Sequence, residues 1–253
     1  RLVALYGSSY ALSQLSGPLL LGALGTEEDY GFWVGVALLM ISPLLLLRRS
    51  GAPSSEASSV TFRDLWGFAR ELPAIAWAVS LFAAFEAMIL TLLPVYCLQQ
   101  GFTAEIALAM VSTVVVGDAL LQLPIGALAD YLSRRTLFTG CAVVLMLSSL
   151  AIPLLLDTLL IWPLWVLFGA SAGGLFTLSL ILIGERYRDD ALVRANAHIA
   201  QLWGVGCLIG PLAAGAGSQW ISGHALPWLM AAGAFGLVIL VSRQGAFGTV
   251  QTA

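Results

Sequence analysis

The sequence predicts an all-α, polytopic membrane protein with eight membrane-spanning helices. The first reason is composition, since 59% of the 253 residues have hydrophobic side chains and only 10% are charged. Soluble domains carry about 25% charged residues, and a soluble fold of this length could not bury so much apolar surface. The second reason is that the apolar residues form long runs, and the third is that all eleven basic residues are arginines outside those runs. This composition argues against a nucleic-acid-binding domain or an ordinary cytosolic enzyme.

The apolar runs have the length and pattern of membrane-spanning helices. A bilayer core is about 30 Å thick, so a crossing helix needs about 20 mostly apolar residues. Backbone polar groups in lipid must be satisfied within the segment, and these runs lack the alternation of barrel strands. Eight stretches qualify, near residues 2–25, 31–47, 73–97, 104–128, 136–156, 160–184, 195–218 and 225–242.

The first two helices, within residues 1–49, resemble the last two, within residues 194–244. Arg1 precedes a Gly-Pro pair, and Arg194 precedes a second pair at the same spacing. The glycines indicate close helix packing, and the prolines indicate kinks. These pairs are Gly17-Pro18 and Gly210-Pro211.

Residues 50–72 follow as a predicted cytoplasmic linker. Its first part is rich in Ser, Ala, Gly and Pro, a composition typical of flexible segments. Its second part is predicted to form an amphipathic helix with Phe62, Leu65, Trp66 and Ala69 on one face. Two interpretations remain open: a helix that lies in the headgroup layer and a plain connecting helix.

Residues 73–244 are predicted to form a complete six-helix unit, and residues 245–253 a cytoplasmic tail. Because the repeat matches only the last two helices of this unit, residues 1–49 are expected to be the end of an equivalent unit. Equal units would place four further helices before residue 1, on the order of a hundred residues or more.

The arginines predict the orientation of the chain. With eight crossings, all eleven arginines and both ends of the chain fall on one side of the membrane. The opposite side carries acidic residues and no arginine. The positive-inside rule assigns the arginine side to the cytoplasm. The expected location is the cell membrane, with a bacterial inner membrane as the expected setting.

Two acidic residues lie inside predicted membrane helices. Glu86 is near the middle of the helix at 73–97, and Asp118 is near the middle of the helix at 104–128. A charge at the bilayer centre costs about 2.5–3.5 kcal/mol, so both are expected to carry a proton part of the time. Both are candidates for proton coupling or for binding a cationic substrate, and Gln122 extends the face of Asp118. A structural role, as a hydrogen-bond donor across a helix interface, is the alternative for each acid.

The loop between the fourth and fifth predicted helices identifies a family resemblance. It reads GALADYLSRR and resembles G-x-L-(A/S)-D-(R/K)-x-G-R-(R/K), the cytoplasmic loop signature of the major facilitator superfamily of secondary transporters. The long linker and parallel repeat fit the six-plus-six plan of that superfamily. The matching positions are Gly126, Leu128, Ala129, Asp130, Arg134 and Arg135, whereas Tyr131 and Ser133 depart from the signature.

The resemblance implies that the chain is the C-terminal two thirds of a twelve-helix transporter, with helices equivalent to the fifth to the twelfth. It also implies that Asp130 latches the outward-facing state and that the Gly-Pro helices line the interface between halves. A topology anchor is the alternative for the loop arginines. The implied activity is proton-coupled secondary transport of a small solute by alternating access. A non-transporting receptor or scaffold and a proton-independent facilitator are the alternatives.

The sequence predicts neither an enzyme nor a metal or cofactor site. Two remote histidines and three isolated cysteines supply no nucleophile–base pair or metal-ligand spacing. The expected partners are a small-molecule solute, the lipid bilayer and the preceding helices of the same protein, and no nucleic acid.

Overall fold

The computed structural model describes residues 33–37, 39–41, 62–128 and 131–243, and the regular structure in these ranges is helical. Residues 33–37 and 39–41 are helical; the predicted helix at 2–25 and most of the linker lie outside the described residues. From Phe62 onward the helices are α1 (Phe62–Glu71), α2 (Pro73–Thr91), α3 (Leu93–Gln99), α4 (Ala104–Leu128), α5 (Arg134–Leu155), α6 (Ile161–Arg186), α7 (Asp189–Trp220) and α8 (Ala225–Arg243).

Five of these helices, α2, α5, α6, α7 and α8, are long and apolar enough to cross a membrane. Helix α4 has 25 residues, which is long enough to cross the bilayer core at about 1.5 Å per residue. Its bounds coincide with the predicted span at 104–128. The helices form a bundle in which α2 contacts α6, α7 and α8. Helix α4 packs mainly on α6, and α5 packs on both α6 and α8.

Two predicted spans need correction. The span at 73–97 is two helices, because α2 ends at Thr91 and α3 begins at Leu93 with Pro94 in its first turn. A proline is tolerated there because the first amides of a helix have no intrahelical partner. The helix predicted at 195–218 begins earlier, at Asp189, since the acidic residues of its first turn suit the positive end of the helix dipole. The predicted loop at 185–194 is correspondingly shorter.

Small residues allow two helix pairs to approach closely. A Cβ added to Gly210 of α7 would lie 2.7 Å from the Cα of Ala84 on α2. A Cβ added to Gly169 of α6 would collide with the backbone of Val114 on α4. Small residues at such crossings bring helix backbones into van der Waals contact within a membrane.

Helix α1 packs against the arginine-bearing end of the bundle. Leu65 and Phe68 are buried against apolar residues of α2, α6 and α7. Trp66 is 63% exposed and lies off the surface that packs on the bundle, where Phe68 packs beside Leu65. The reason is geometric: residues three apart share a helix face, and Leu65 and Phe68 are the pair that meets the bundle. The helix predicted in the linker is therefore docked on the bundle.

Candidate functional site

Glu86 lies in the core of the bundle, where α2 meets α7. Its exposed fraction is 8%. Gly206 and Gly210 of α7 contact α2 at Ser80, Ala83 and Ala84, which brings the facing backbones together. This close approach places the Glu86 carboxyl within electrostatic range of the Cys207 thiol. The Cys207 thiol itself donates to the Ala83 carbonyl at 3.6 Å.

An aromatic triad, defined as Phe82, Phe176 and Trp203, lies one helical turn from this acid. Phe82 precedes Glu86 by four residues on α2, and Trp203 precedes Cys207 by four residues on α7. Phe82 stacks on Phe176 of α6 with ring centroids 4.9 Å apart, and Trp203 meets both rings edge-on at 5.4 and 4.9 Å. Phe82 is buried, whereas Phe176 and Trp203 are half-buried. The triad therefore forms an aromatic layer beside the layer of Glu86 and Cys207.

Asp118 lies where α4 crosses α6. Its exposed fraction is also 8%. The close contact at Gly169 brings the Asp118 backbone amide against α6, because a Cβ at that glycine would lie 3.0 Å from it. Phe85 of α2 meets Phe168 of α6, with ring centroids 5.1 Å apart. Phe85 and Glu86 are adjacent on α2, and Phe168 and Gly169 are adjacent on α6. Glu86 and Asp118 therefore lie at nearly the same level of the bundle.

Among the predicted site residues of α4 and of the loop after it, three lie wholly or partly outside the described residues. The backbone of Gln122 and Gly126 belongs to α4, but the structure describes nothing of the Gln122 side chain or of the surroundings of Gly126. Asp130 is outside the described residues altogether. The roles assigned to them from the sequence stay predictions.

The two arginines of the loop signature have specific partners. Arg134, at the start of α5, donates to Glu185 near the end of α6 at 2.8 Å. Arg135 donates at 3.1 Å to the backbone carbonyl of Val241, near the end of α8. A cation beside the last carbonyls of a helix satisfies groups that lack an intrahelical donor. The signature arginines thus tie the start of α5 to the ends of two neighbouring helices, partners that the sequence did not reveal.

The second Gly-Pro pair lies beside Glu86. Gly210 packs on Ala84, as the prediction of close packing required. Pro211 lies within α7 and has no amide hydrogen, so it cannot donate to the Cys207 carbonyl one turn earlier. Helix α7 is therefore weakened at the level of the buried acid. The first pair, Gly17 and Pro18, lies outside the described residues.

Two polar contacts at the arginine end were missed by sequence reasoning. Glu71 of α1 accepts from Arg186 at 2.7 Å and from the Tyr187 hydroxyl at 3.1 Å. Burial and the neighbouring Glu71 carboxylate raise the pKa of Tyr187, so its hydroxyl remains a donor at neutral pH. Phe68 stacks on His198 with ring centroids 5.1 Å apart. These contacts fix α1 to α6 and α7.

At the opposite end, the hydroxyl of Tyr96 on α3 shares a 2.9 Å hydrogen bond with Nδ1 of His224. The bond joins the short helix after the break at Leu92 to the connection between α7 and α8. Among the residues that the structure describes, no three His, Cys, Asp or Glu side chains are grouped as a metal site would require.

A bundle of apolar helices with carboxyls buried at mid-depth is the architecture of a multi-pass membrane protein. The sequence model of the Major Facilitator Superfamily matches residues 103–244, more than half of the chain. The chain belongs to that superfamily, as the loop signature predicted.

Two curated relatives support this assignment. The chain is 20% identical, over 225 residues, to the uncharacterized MFS-type transporter YfkF of Bacillus subtilis, an alignment that covers 85% of this chain and 56% of that protein. It is 25% identical, over 218 residues, to the uncharacterized MFS-type transporter YE1530 of Yersinia enterocolitica, covering 83% of this chain and 55% of that protein. The chain thus spans about half the length of the curated relatives it matches.

Proposed function

We propose that the protein containing this chain transports a small solute by proton-coupled alternating access across the cell membrane. The observation that carries this proposal is the buried Glu86 carboxyl at the contact of α2 with the Gly-Pro segment of α7. An ionisable group at mid-membrane is costly to retain, and such groups typically mark ion or substrate pathways. Membership of a transporter superfamily and two relatives named as transporters agree with this role.

The coupling step follows from the surroundings of Glu86. Glu86 is buried, and a carboxylate is poorly solvated in an apolar interior. Opening the bundle to water on one side would favour release of the proton. Bending of α7 at Pro211 supplies such an opening, since the Cys207 carbonyl receives no bond from that residue. Asp118, at the same depth beside α6, is the second proton-binding candidate.

A proton-flux assay in inverted membrane vesicles tests this function. The protein is expressed from its complete reading frame, and the pH gradient is followed with an acridine dye. Tetraphenylphosphonium, ethidium, a sugar mixture and an amino-acid mixture are added in turn. We expect at least one addition to change the pH gradient before an uncoupler collapses it. Glu86→Gln and Asp118→Asn should reduce that change at equal expression, because an amide cannot exchange the proton.

The reference variant is Glu105→Gln, which removes an acid from the exposed first turn of α4. It should behave as the native protein does. Unchanged amplitude and unchanged pH dependence in both buried-acid variants would contradict proton coupling through these groups. Transport of a labelled solute with no proton movement would instead indicate a proton-independent facilitator.

A further inference from the structure

The side of α1 that points away from the bundle carries two arginines and a tryptophan. Leu65 and Phe68 are buried against α2, α6 and α7, and this contact fixes the orientation of the helix. Arg63 and Arg70 are exposed, and Trp66 is 63% exposed. Residues seven apart share a helix face, so both arginines lie on one side of α1, about 10 Å apart along its axis.

The described part of the chain leaves this side of α1 uncovered. Gly67 lies between the two arginines on the helix surface, and a Cβ added to it would meet no described atom within 4 Å. The guanidinium of Arg70 lies 5.2 Å from the centroid of the Trp66 ring, so the cation and the indole point into the same region. Stacking uses the face of a guanidinium, and its N–H donors in the plane still bind anions.

The acidic residues of α1 lie on another side of the helix. Asp64 and Glu71 are also seven residues apart, and consecutive helical residues differ by about 100° in direction. Glu71 accepts from Arg186 at 2.7 Å and from the Tyr187 hydroxyl at 3.1 Å, which directs it towards α6. Since Arg186 offsets the charge of Glu71, that carboxylate repels an anion at the arginine side only weakly.

We propose that Arg63, Trp66 and Arg70 bind the headgroups of anionic phospholipids, such as phosphatidylglycerol, in the leaflet at the arginine end of the bundle. Each arginine donates to one lipid phosphate, and the Trp66 indole lies at headgroup level, where amphipathic aromatic rings are favoured. An anionic leaflet increases the affinity about fivefold for each basic residue near its surface. This inference goes beyond the proposed transport function and depends only on the bundle lying in a membrane.

A lipid headgroup fits this surface better than a phosphate ion from solution. Small anions are bound where several donors converge on one point, whereas these two arginines are about 10 Å apart on a convex helix face. That spacing suits separate charges arranged in a plane. The exposed indole adds apolar surface, which a phosphate ion cannot use and the interfacial layer of a bilayer can.

Quenching of Trp66 fluorescence by brominated lipid tests the surface. The protein, expressed from its complete reading frame, is placed in phosphatidylcholine nanodiscs with increasing shares of brominated phosphatidylglycerol or brominated phosphatidylcholine. The Trp66 signal is the difference between the native protein and Trp66→Phe. Phosphatidylglycerol should be preferred at Trp66 by more than about tenfold. Arg63→Gln and Arg70→Gln should each lower this preference about fivefold, and added salt should lower it in the native protein.

The matched control is Arg188→Gln, because Arg188 is exposed at the same end of the bundle, between α6 and α7. It should change the preference by less than about twofold. Arg63→Lys and Arg70→Lys keep the charge and should stay within about threefold of the native protein. Excess glycerol 1-phosphate should not displace the lipid.

Four results would overturn the inference. Equal quenching by the two lipids would remove the anionic preference, and an equal loss in the Arg188 variant would show a diffuse field rather than a site on α1. Displacement by glycerol 1-phosphate would indicate a site for soluble anions. Trp66 fluorescence that neither lipid quenches would show that this side of α1 faces the solution, another part of the chain or a protein partner.

Discussion

Glu86 and Asp118 show how far single residues could be interpreted from the sequence. Each interrupts an apolar run near its middle, which predicted that both would lie inside the membrane, and both are in fact buried. Their neighbours could not be predicted, because the electrostatic pairing of Glu86 with Cys207 depends on which helix packs against α2. The signal that was available is the spacing of Phe82 and Trp203, each one turn before a residue of that pair.

For the loop arginines, too, the sequence predicted the position of the side chains but not their partners. Their clustering predicted a charged loop at one membrane face, which requires only composition. Their partners, Glu185 and the Val241 carbonyl, come from helices that are distant in sequence. Local sequence specifies that a charge lies at a helix end, but tertiary packing selects what it contacts.

Tyr96 supplies a test at the residue scale. Tyr96→Phe removes its hydrogen bond to His224 while keeping the ring, and should lower the free energy of unfolding by about 1 kcal/mol. Thermal unfolding in detergent measures the effect. Tyr131→Phe is the matched control, because Tyr131 is 87% exposed, and its change should stay within about 0.5 kcal/mol. Equal effects of the two substitutions would contradict a structural role for this hydrogen bond.

Helix positions were predicted well where an apolar run sets the ends of a helix. Helix α4 has the predicted bounds, and α8 differs by one residue at its end. The predictions of helix bounds failed where the ends of a helix differ from the ends of its apolar run. The polar first turn of α7 is helical outside the apolar run, and the break at Leu92 lies inside one.

Gly210 and Gly215 give a test at the level of the helix pair. The sequence suggested close packing for Gly210, and a Cβ there collides with Ala84, whereas a Cβ at Gly215 on the same helix meets no described atom within 4 Å. Gly210→Ala should therefore destabilise the protein by about 1–3 kcal/mol, as overpacking does, and reduce the solute-driven change of the pH gradient by separating Glu86 from α7.

Gly215→Ala is the control on the same helix. It should be neutral or stabilise the protein by up to about 1 kcal/mol, because alanine is the better helix former. Thermal unfolding in detergent and the pH-gradient change in inverted vesicles are measured for both variants. If Gly210→Ala were as stable as Gly215→Ala and gave the same pH-gradient change, the close approach of α2 and α7 would not be what positions Glu86.

For the molecule as a whole, the described helices form one bundle in which charge and apolar surface are sorted by depth. Arginines collect at one end, where Arg134, Arg135 and Arg186 bind neighbouring helices and α1. Glu86 and Asp118 are buried between the two ends of the bundle, with Glu86 beside the aromatic layer. Three assignments remain predictions: the division at residue 49, the linker, and the cytoplasmic placement of the arginine end. The first two involve residues outside the described ranges, and the third requires a membrane.

The central proposal is that Glu86 carries the proton that accompanies solute movement. The solute-driven change of the pH gradient in inverted vesicles, compared between the complete native protein and Glu86→Gln at equal expression, tests it most directly. The native protein should change the gradient when a transported solute is added, and Glu86→Gln should not. An equal change with both proteins would contradict the proposal.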